Sequence, residues 1–212
     1  MFAFPAQRVR PKARGIDLAI TALVLSVAAM AWFGWGQAQP PAGWSAPLIA
    51  GSCVSIAAVV LAGVTAWRYR RDEQLMNDPA VSRRYGLVVG VEVAACALGV
   101  GALAIAGKPA YVPAWILLVV GVHFLPLGRL FGIAELYPAG LAASAAAIAA
   151  AVTGAVTAVA PSAVAGAGGG LACLVTALSC VRRVRTVSRE NTVSRENTVS
   201  RENTVSREER RS

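Results

Sequence analysis

Six long runs without clustered charge dominate this chain of 212 residues. Its 20 basic and 11 acidic residues crowd into the N-terminus, one central loop and the C-terminal tail. Each run has about the 20 apolar residues that a helix needs to cross a bilayer, although the fourth is shorter. We therefore predict six membrane spans, at residues 16–36, 47–67, 86–106, 112–127, 139–159 and 163–181.

The composition supports a lipid environment, because 56% of the residues are hydrophobic and 15% are charged. A soluble domain averages about 45–50% and 25%. Backbone groups find no hydrogen-bond partner in lipid, so each run must be a helix, and the alternation of a membrane barrel is absent. The predicted fold class is an all-α, polytopic membrane helix bundle: a basic N-terminus at 1–15, six spans within 16–181, and a disordered tail at 182–212.

The tail repeats the hexapeptide Thr-Val-Ser-Arg-Glu-Asn from Thr186, Thr192 and Thr198, with a last partial copy from Thr204. One valine in six residues makes no helical stripe, which is why disorder is predicted. Duplication of a short coding unit needs no function. The alternatives are attraction to anionic lipid and phosphorylation at sites such as Ser188.

The distribution of Lys and Arg predicts the orientation. One side collects nineteen of the 20 basic residues, and the other carries Lys108 alone. The positive-inside rule then places both termini in the cytoplasm, as six spans require. The bias towards Ala, Gly, Val and Arg suits a GC-rich bacterium, so we expect the bacterial plasma membrane. The net charge of +9 indicates contact with anionic lipids, and no nucleic acid partner is expected because aromatic and basic residues do not interleave.

The sequence has no enzyme signature: G-x-S-x-G, H-E-x-x-H, a P-loop and a dinucleotide-binding glycine motif are all missing. We predict no catalytic residue, no metal site and no cofactor. The four cysteines fall within spans without C-x-x-C spacing and resemble small packing residues.

Glycines predict close helix packing in two places. Gly86 and Gly90 form a G-x-x-x-G pair, and the stretch from Gly166 to Gly170 is nearly continuous glycine. An alternative for the second stretch is a helix that unwinds around a substrate, as in some transporters.

Ionisable residues inside spans are costly and are functional candidates by default. Glu92 lies about 12 Å above Arg84, and His123 lies about 9 Å above Arg129, at 1.5 Å per residue. Because both belong to the same leaflet, we predict that Glu92 and His123 pair across the interface of spans three and four.

Pro126 should bend span four beside His123, because proline lacks the N–H that would bond to Val122. Arg129, Glu135 and Asp17 are candidates to extend the pair towards the cytoplasm. Three roles stay open for the pair: fixing helix register, carrying a proton, ion or small ligand, or binding a metal or haem.

The segment Tyr111-x-Pro113 followed by ILLVVGVHFLPLGRLF resembles the fourth span of a family of small six-span bacterial membrane proteins, V-G-x-H-F-x-P-L-A-x-x-F. The resemblance covers the membrane part, most specifically residues 86–140, and excludes the repeat tail. It includes Tyr137 and departs from the motif at Gly128. It implies a six-span fold and no particular reaction, and it singles out Glu92, His123, Phe124 and Pro126.

Two functions follow as expectations. The first is small-solute or proton-linked transport that uses the Glu92–His123 pair. The second is a non-catalytic membrane scaffold in which the pair is structural and the tail or the central loop, 68–85, binds a partner. Assembly with a second copy or another membrane protein is left open.

Overall fold

The computed structural model describes residues 15–71 and 74–209, and beyond Thr186 it describes the backbone alone. Most of the predicted basic N-terminus, including Arg8, Arg10, Lys12 and Arg14, lies outside the described residues. Asp72 and Glu73 of the central loop lie outside them as well.

The described chain is helical, without a strand in residues 15–71 or 74–209. Its six long helices are α1 Gly15–Gly36, α2 Ser45–Arg68, α3 Pro79–Ile105, α4 Val112–Phe131, α5 Leu136–Val156 and α6 Pro161–Glu209. Short 3₁₀ turns at Leu75–Asn77 and Pro109–Tyr111 precede α3 and α4. All six helices are long and apolar enough to cross a membrane, which confirms the predicted all-α, multi-pass bundle.

The two ends of the bundle differ in chemistry. Arg68 and Arg129 lie where α2 and α4 end, and Arg83 lies near the start of α3. Arg183 of α6 pairs with Glu135, just before α5, and we call this end of the bundle the arginine end. At the opposite end, α1 finishes with Trp32 stacked on Trp35, with 5.5 Å between ring centroids.

Helix α3 begins seven residues before the predicted span. Its start is set by Asp78, whose side chain accepts a hydrogen bond of 2.8 Å from the backbone N–H of Ala80. Pro79 occupies the first helical position, where a missing N–H costs nothing. Hydropathy alone misses this start because the first two turns of α3 carry Arg83 and Arg84.

Helix α4 runs through Pro126 and ends at Phe131, four residues beyond the predicted span. Gly132 ends it with φ of 65°, in the left-handed region that favours glycine. Proline inside the helix therefore does not stop it, and the bend expected beside His123 stays a prediction.

Helix α6 does not end where the sixth span was predicted to end. Arg183 and Val184 still pack in the bundle, with Val184 only 1% exposed. The backbone then continues as helix through the repeat to Glu209, where the sequence predicts disorder. The difference has a simple cause: no glycine or proline follows Gly170, so nothing in the sequence terminates the helix at the membrane surface.

Helices α1 and α6 form the centre of the bundle. A Cβ at Gly166 would overlap the backbone of Gly36, so these two helices approach as closely as glycine allows. Gly169 and Gly170 lie against the rings of Trp32 and Phe33. Because α6 is continuous through this stretch, the glycines serve helix packing, as predicted, and the alternative of an unwound segment is not observed.

Helix α3 lies at the edge of the bundle. It packs mainly on α4, and none of its 27 residues is buried. A Cβ at Gly86 or Gly90 would meet nothing within 4 Å. The prediction of close packing through this G-x-x-x-G pair is therefore wrong within the described chain, because that face of α3 is turned away from α4.

Candidate functional site

Glu92 on α3 and His123 on α4 lie in direct contact. His123 Nδ1 is 3.3 Å from Glu92 Oε2, and the side chains are 9% and 21% exposed for His123 and Glu92. The pairing predicted from depth is confirmed.

A second polar contact joins α3 to α4 further along the interface. The indole N–H of Trp115 donates a hydrogen bond of 3.1 Å to the backbone carbonyl of Ala95. Gly99 makes room for this ring, since a Cβ there would overlap the indole. Ala95 lies about one helical turn from Glu92, so two neighbouring polar contacts hold α3 in register on α4.

The pair borders a space of about 470 Å³ between α3 and α4, lined by Val91, Ala95, Trp115, Val119, Val122 and Pro126 as well as Glu92 and His123. We call it the α3–α4 cleft. Its walls are otherwise apolar, and Glu92 also borders the opposite face of the interface, beside Cys96 and Val120. The pair thus supplies the ionisable groups of an otherwise apolar cleft at the edge of the bundle.

Asp17 lies in a separate cavity on the other side of α4. Its Oδ1 accepts a hydrogen bond of 3.0 Å from the backbone N–H of Leu75, in the loop before α3. The cavity, of about 210 Å³, is lined by Asp17 together with Phe124, Phe131 and Tyr85. Asp17 therefore anchors the central loop on α1 and does not reach the Glu92–His123 pair.

Glu135 and Arg129 are also separated from the pair. Glu135 Oε2 lies 2.7 Å from Arg183 Nη1, in an ion pair between the start of α5 and α6. Arg129 is exposed in the last turn of α4, with no contact to Glu92 or His123 among the described residues. The prediction that Arg129, Glu135 and Asp17 extend the pair is wrong, because these side chains point in different directions around the bundle.

The two residues proposed as structural flank His123 on different faces of α4. Phe124 is buried, 7% exposed, and faces the cavity beside α1. Pro126 is exposed and borders the α3–α4 cleft. Successive residues of α4 therefore face two different cavities.

The part of the chain that the structure describes holds no group of three His, Cys, Asp or Glu side chains that could bind a metal ion. Cys173 and Cys180 are buried in α6, as expected for packing residues, while Cys53 is exposed and Cys96 is half-buried.

Comparison with known proteins finds no matching family model, no similar curated protein and no similar solved structure. The candidate site therefore has to be interpreted from its own geometry.

Two parts of the site were not predicted from the sequence. The Trp115–Ala95 hydrogen bond uses a backbone carbonyl, which leaves no signal in the sequence. The cavity beside Asp17 depends on how the central loop folds back over α1, and hydropathy carries no information on that.

Proposed function

We propose that the protein moves a small solute across the membrane in a proton-linked manner, with the Glu92–His123 pair as the proton-carrying group. The observation that carries the proposal is the 3.3 Å contact between Nδ1 of His123 and Oε2 of Glu92 in an apolar cleft. Carboxyl and imidazole groups inside a membrane are expensive, and together they form a relay that can take up and release a proton.

The setting of the pair supports this role. Transport requires a part of the protein that moves, and α3 has no buried residue and is held mainly by α4. Displacing α3 therefore breaks contacts mainly with α4, including the two polar ones. The α3–α4 cleft, of about 470 Å³, has room for a small ligand beside the pair.

A structural role is the second candidate, and the Trp115–Ala95 bond favours it. Two polar contacts on one interface are what an edge helix needs to be fixed in register on its neighbour. In this case the protein is a non-catalytic scaffold, and the pair carries no proton during function.

Substitution of Glu92 by glutamine separates the two candidates. Glutamine keeps an oxygen that accepts a hydrogen bond from His123 but has no ionisable carboxyl group. We expect purified protein in proteoliposomes on a solid-supported membrane to give a transient current after a pH jump, and E92Q and H123A to abolish it.

Glu135→Gln is the matched control, because it removes a membrane-boundary carboxyl group without touching the pair; the current should persist. Wild-type protein without a current, or E92Q with an undiminished one, would contradict proton carriage. If E92Q is also as stable to heat as the wild type, the scaffold is favoured.

The proposal includes location. We propose the plasma membrane of a bacterium, with both termini in the cytoplasm, supported by the nineteen basic residues assigned to one side. We also propose membership of the six-span family with the V-G-x-H-F-x-P-L-A-x-x-F motif, supported by His123, Phe124 and Pro126 on α4.

A further inference from the structure

A groove between α5 and α6 runs along the outside of the bundle towards the arginine end. Its volume is about 480 Å³, and its lining includes Ala142 and Ala146 on α5 and Gly168, Ala172 and Val175 on α6. A Cβ at Gly168 would overlap Ala146, so the helices touch at the closed end of the groove. Small side chains leave the space open.

No group along the length of the groove requires a polar occupant. Two hydroxyl groups border it, and both donate within α6: Thr176 Oγ1 to the carbonyl of Ala172, at 2.7 Å, and Ser179 Oγ to that of Val175, at 2.8 Å. Because these groups are satisfied by their own helix, the surface that remains is suited to a hydrocarbon chain.

The length of the groove matches one leaflet. From Gly168 to Ser179, α6 rises by about 16 Å at 1.5 Å per residue. Half of the hydrocarbon core of a bilayer is about 15 Å thick. An acyl chain that enters at the arginine end would therefore lie along the groove and end where Gly168 meets Ala146.

The open end of the groove is basic. The Arg183–Glu135 ion pair borders it, and Arg182 and Arg185 follow on α6 with exposed side chains. Three arginines against one glutamate leave an excess of positive charge where a lipid headgroup would lie. Arginine also has five N–H donors, so Arg183 can contact a phosphate while it keeps its bond to Glu135.

We infer that this groove, which we call the α5–α6 groove, is a binding site for one anionic phospholipid, with an acyl chain against Ala142 and Ala172 and the phosphate at Arg182, Arg183 and Arg185. The occupant is a lipid and not a free phosphate ion, because most of the groove is apolar and as long as a leaflet.

Native mass spectrometry of the full chain released from detergent tests this site. Phosphatidylglycerol and phosphatidylcholine with the same acyl chains are titrated as probes. We expect the protein to retain phosphatidylglycerol and to retain phosphatidylcholine only weakly. The double variant R182Q/R185Q, which leaves the Arg183–Glu135 pair intact, should lower phosphatidylglycerol retention about fivefold for each arginine removed.

The apolar part is tested by A142F, which fills the groove. A149F is the matched control: Ala149 is also exposed on α5, two turns further along the same face, but outside the groove. We expect A142F to reduce retention of both lipids and A149F to leave it unchanged.

Three results would overturn the inference: equal retention of the two lipids by the wild type, equal effects of A142F and A149F, or displacement of the lipid by millimolar inorganic phosphate. Thermal unfolding of each variant shows whether it is folded. If A142F is unfolded, R182Q/R185Q decides, since both arginines have exposed side chains.

Discussion

At the scale of single residues, the Glu92–His123 contact places two ionisable groups inside the described membrane region, where such groups are costly. A hydrogen bond between membrane helices contributes about 0.6 kcal/mol on average and up to about 1.7 kcal/mol, because the unfolded helices also find partners in the membrane. The contact itself therefore adds little stability, and removing one partner costs more than the contact contributes. A carboxyl group left alone in lipid is the larger penalty.

A double-mutant cycle measures this energy. We expect E92L and H123L each to destabilise the protein, and the double variant E92L/H123L to lose less than the sum. The coupling energy should lie at about 0.6–1.7 kcal/mol. Reversible unfolding in mixed micelles gives the change in the free energy of unfolding for each of the three variants. A coupling near zero would mean that the Trp115–Ala95 bond alone fixes α3.

The pairing itself could be predicted, because distance along a helix converts into depth at a known rise per residue. Counting residues from Arg84 gives the depth of Glu92, and counting from Arg129 gives the depth of His123. The two depths are nearly equal. Depth says nothing about direction around the bundle, however. The sequence predicts that Arg129, Glu135 and Asp17 extend the pair towards the cytoplasm. The structure instead turns Asp17 to the central loop and Glu135 to Arg183.

At the scale of helices, α1 and α3 show what hydropathy can and cannot predict. Their mean hydropathy is 2.0 and 2.2, yet 56% of the apolar window of α1 is buried and none of that of α3. Lipid and protein interior are equally apolar, so the existence of both spans was predictable and their positions in the bundle were not. The glycines of α6 were the better signal, since they lie where α1 approaches.

Two glycine-to-alanine substitutions test this difference between the closely packed α1–α6 interface and the open face of α3. G166A should destabilise the protein by about 1–3 kcal/mol, because the new methyl group overlaps Gly36 and the central pair of helices must separate. G90A should be neutral or stabilise by up to about 1 kcal/mol, since it adds helix propensity in open space. Unfolding in mixed micelles measures the free energy of unfolding of both variants. Equal effects would place α3, too, in a packed interface.

At the scale of the whole molecule, the charge distribution and the helix bounds support the proposed topology. Arg68, Arg83 and Arg129 flank described helices at the arginine end, and Lys108 lies at the other. Six crossings would put the start of α1 and the end of α6 on the same side of the membrane, and the proposed orientation rests on the resistance of positive charge to translocation.

Fusions to alkaline phosphatase test the topology, because this enzyme needs disulfides and is active outside the reducing cytoplasm. We expect activity for a fusion after Lys108 and none for fusions after Asp78 or Thr186. Green fluorescent protein at the same three positions should give the opposite pattern. An active phosphatase after Thr186 would reverse the proposed orientation.

The partnership of α1 with α6 bears on how the protein is made. Helix α1 leaves the ribosome before α6, and its rings at Trp32 and Phe33 lie against glycines of α6, which follows α1 after four other helices. Until α6 is inserted, α1 has only α2 among its main partners. Assembly therefore waits on the sixth span, and a nascent chain stalled before Pro161 would hold an unclosed bundle that membrane chaperones and proteases could recognise.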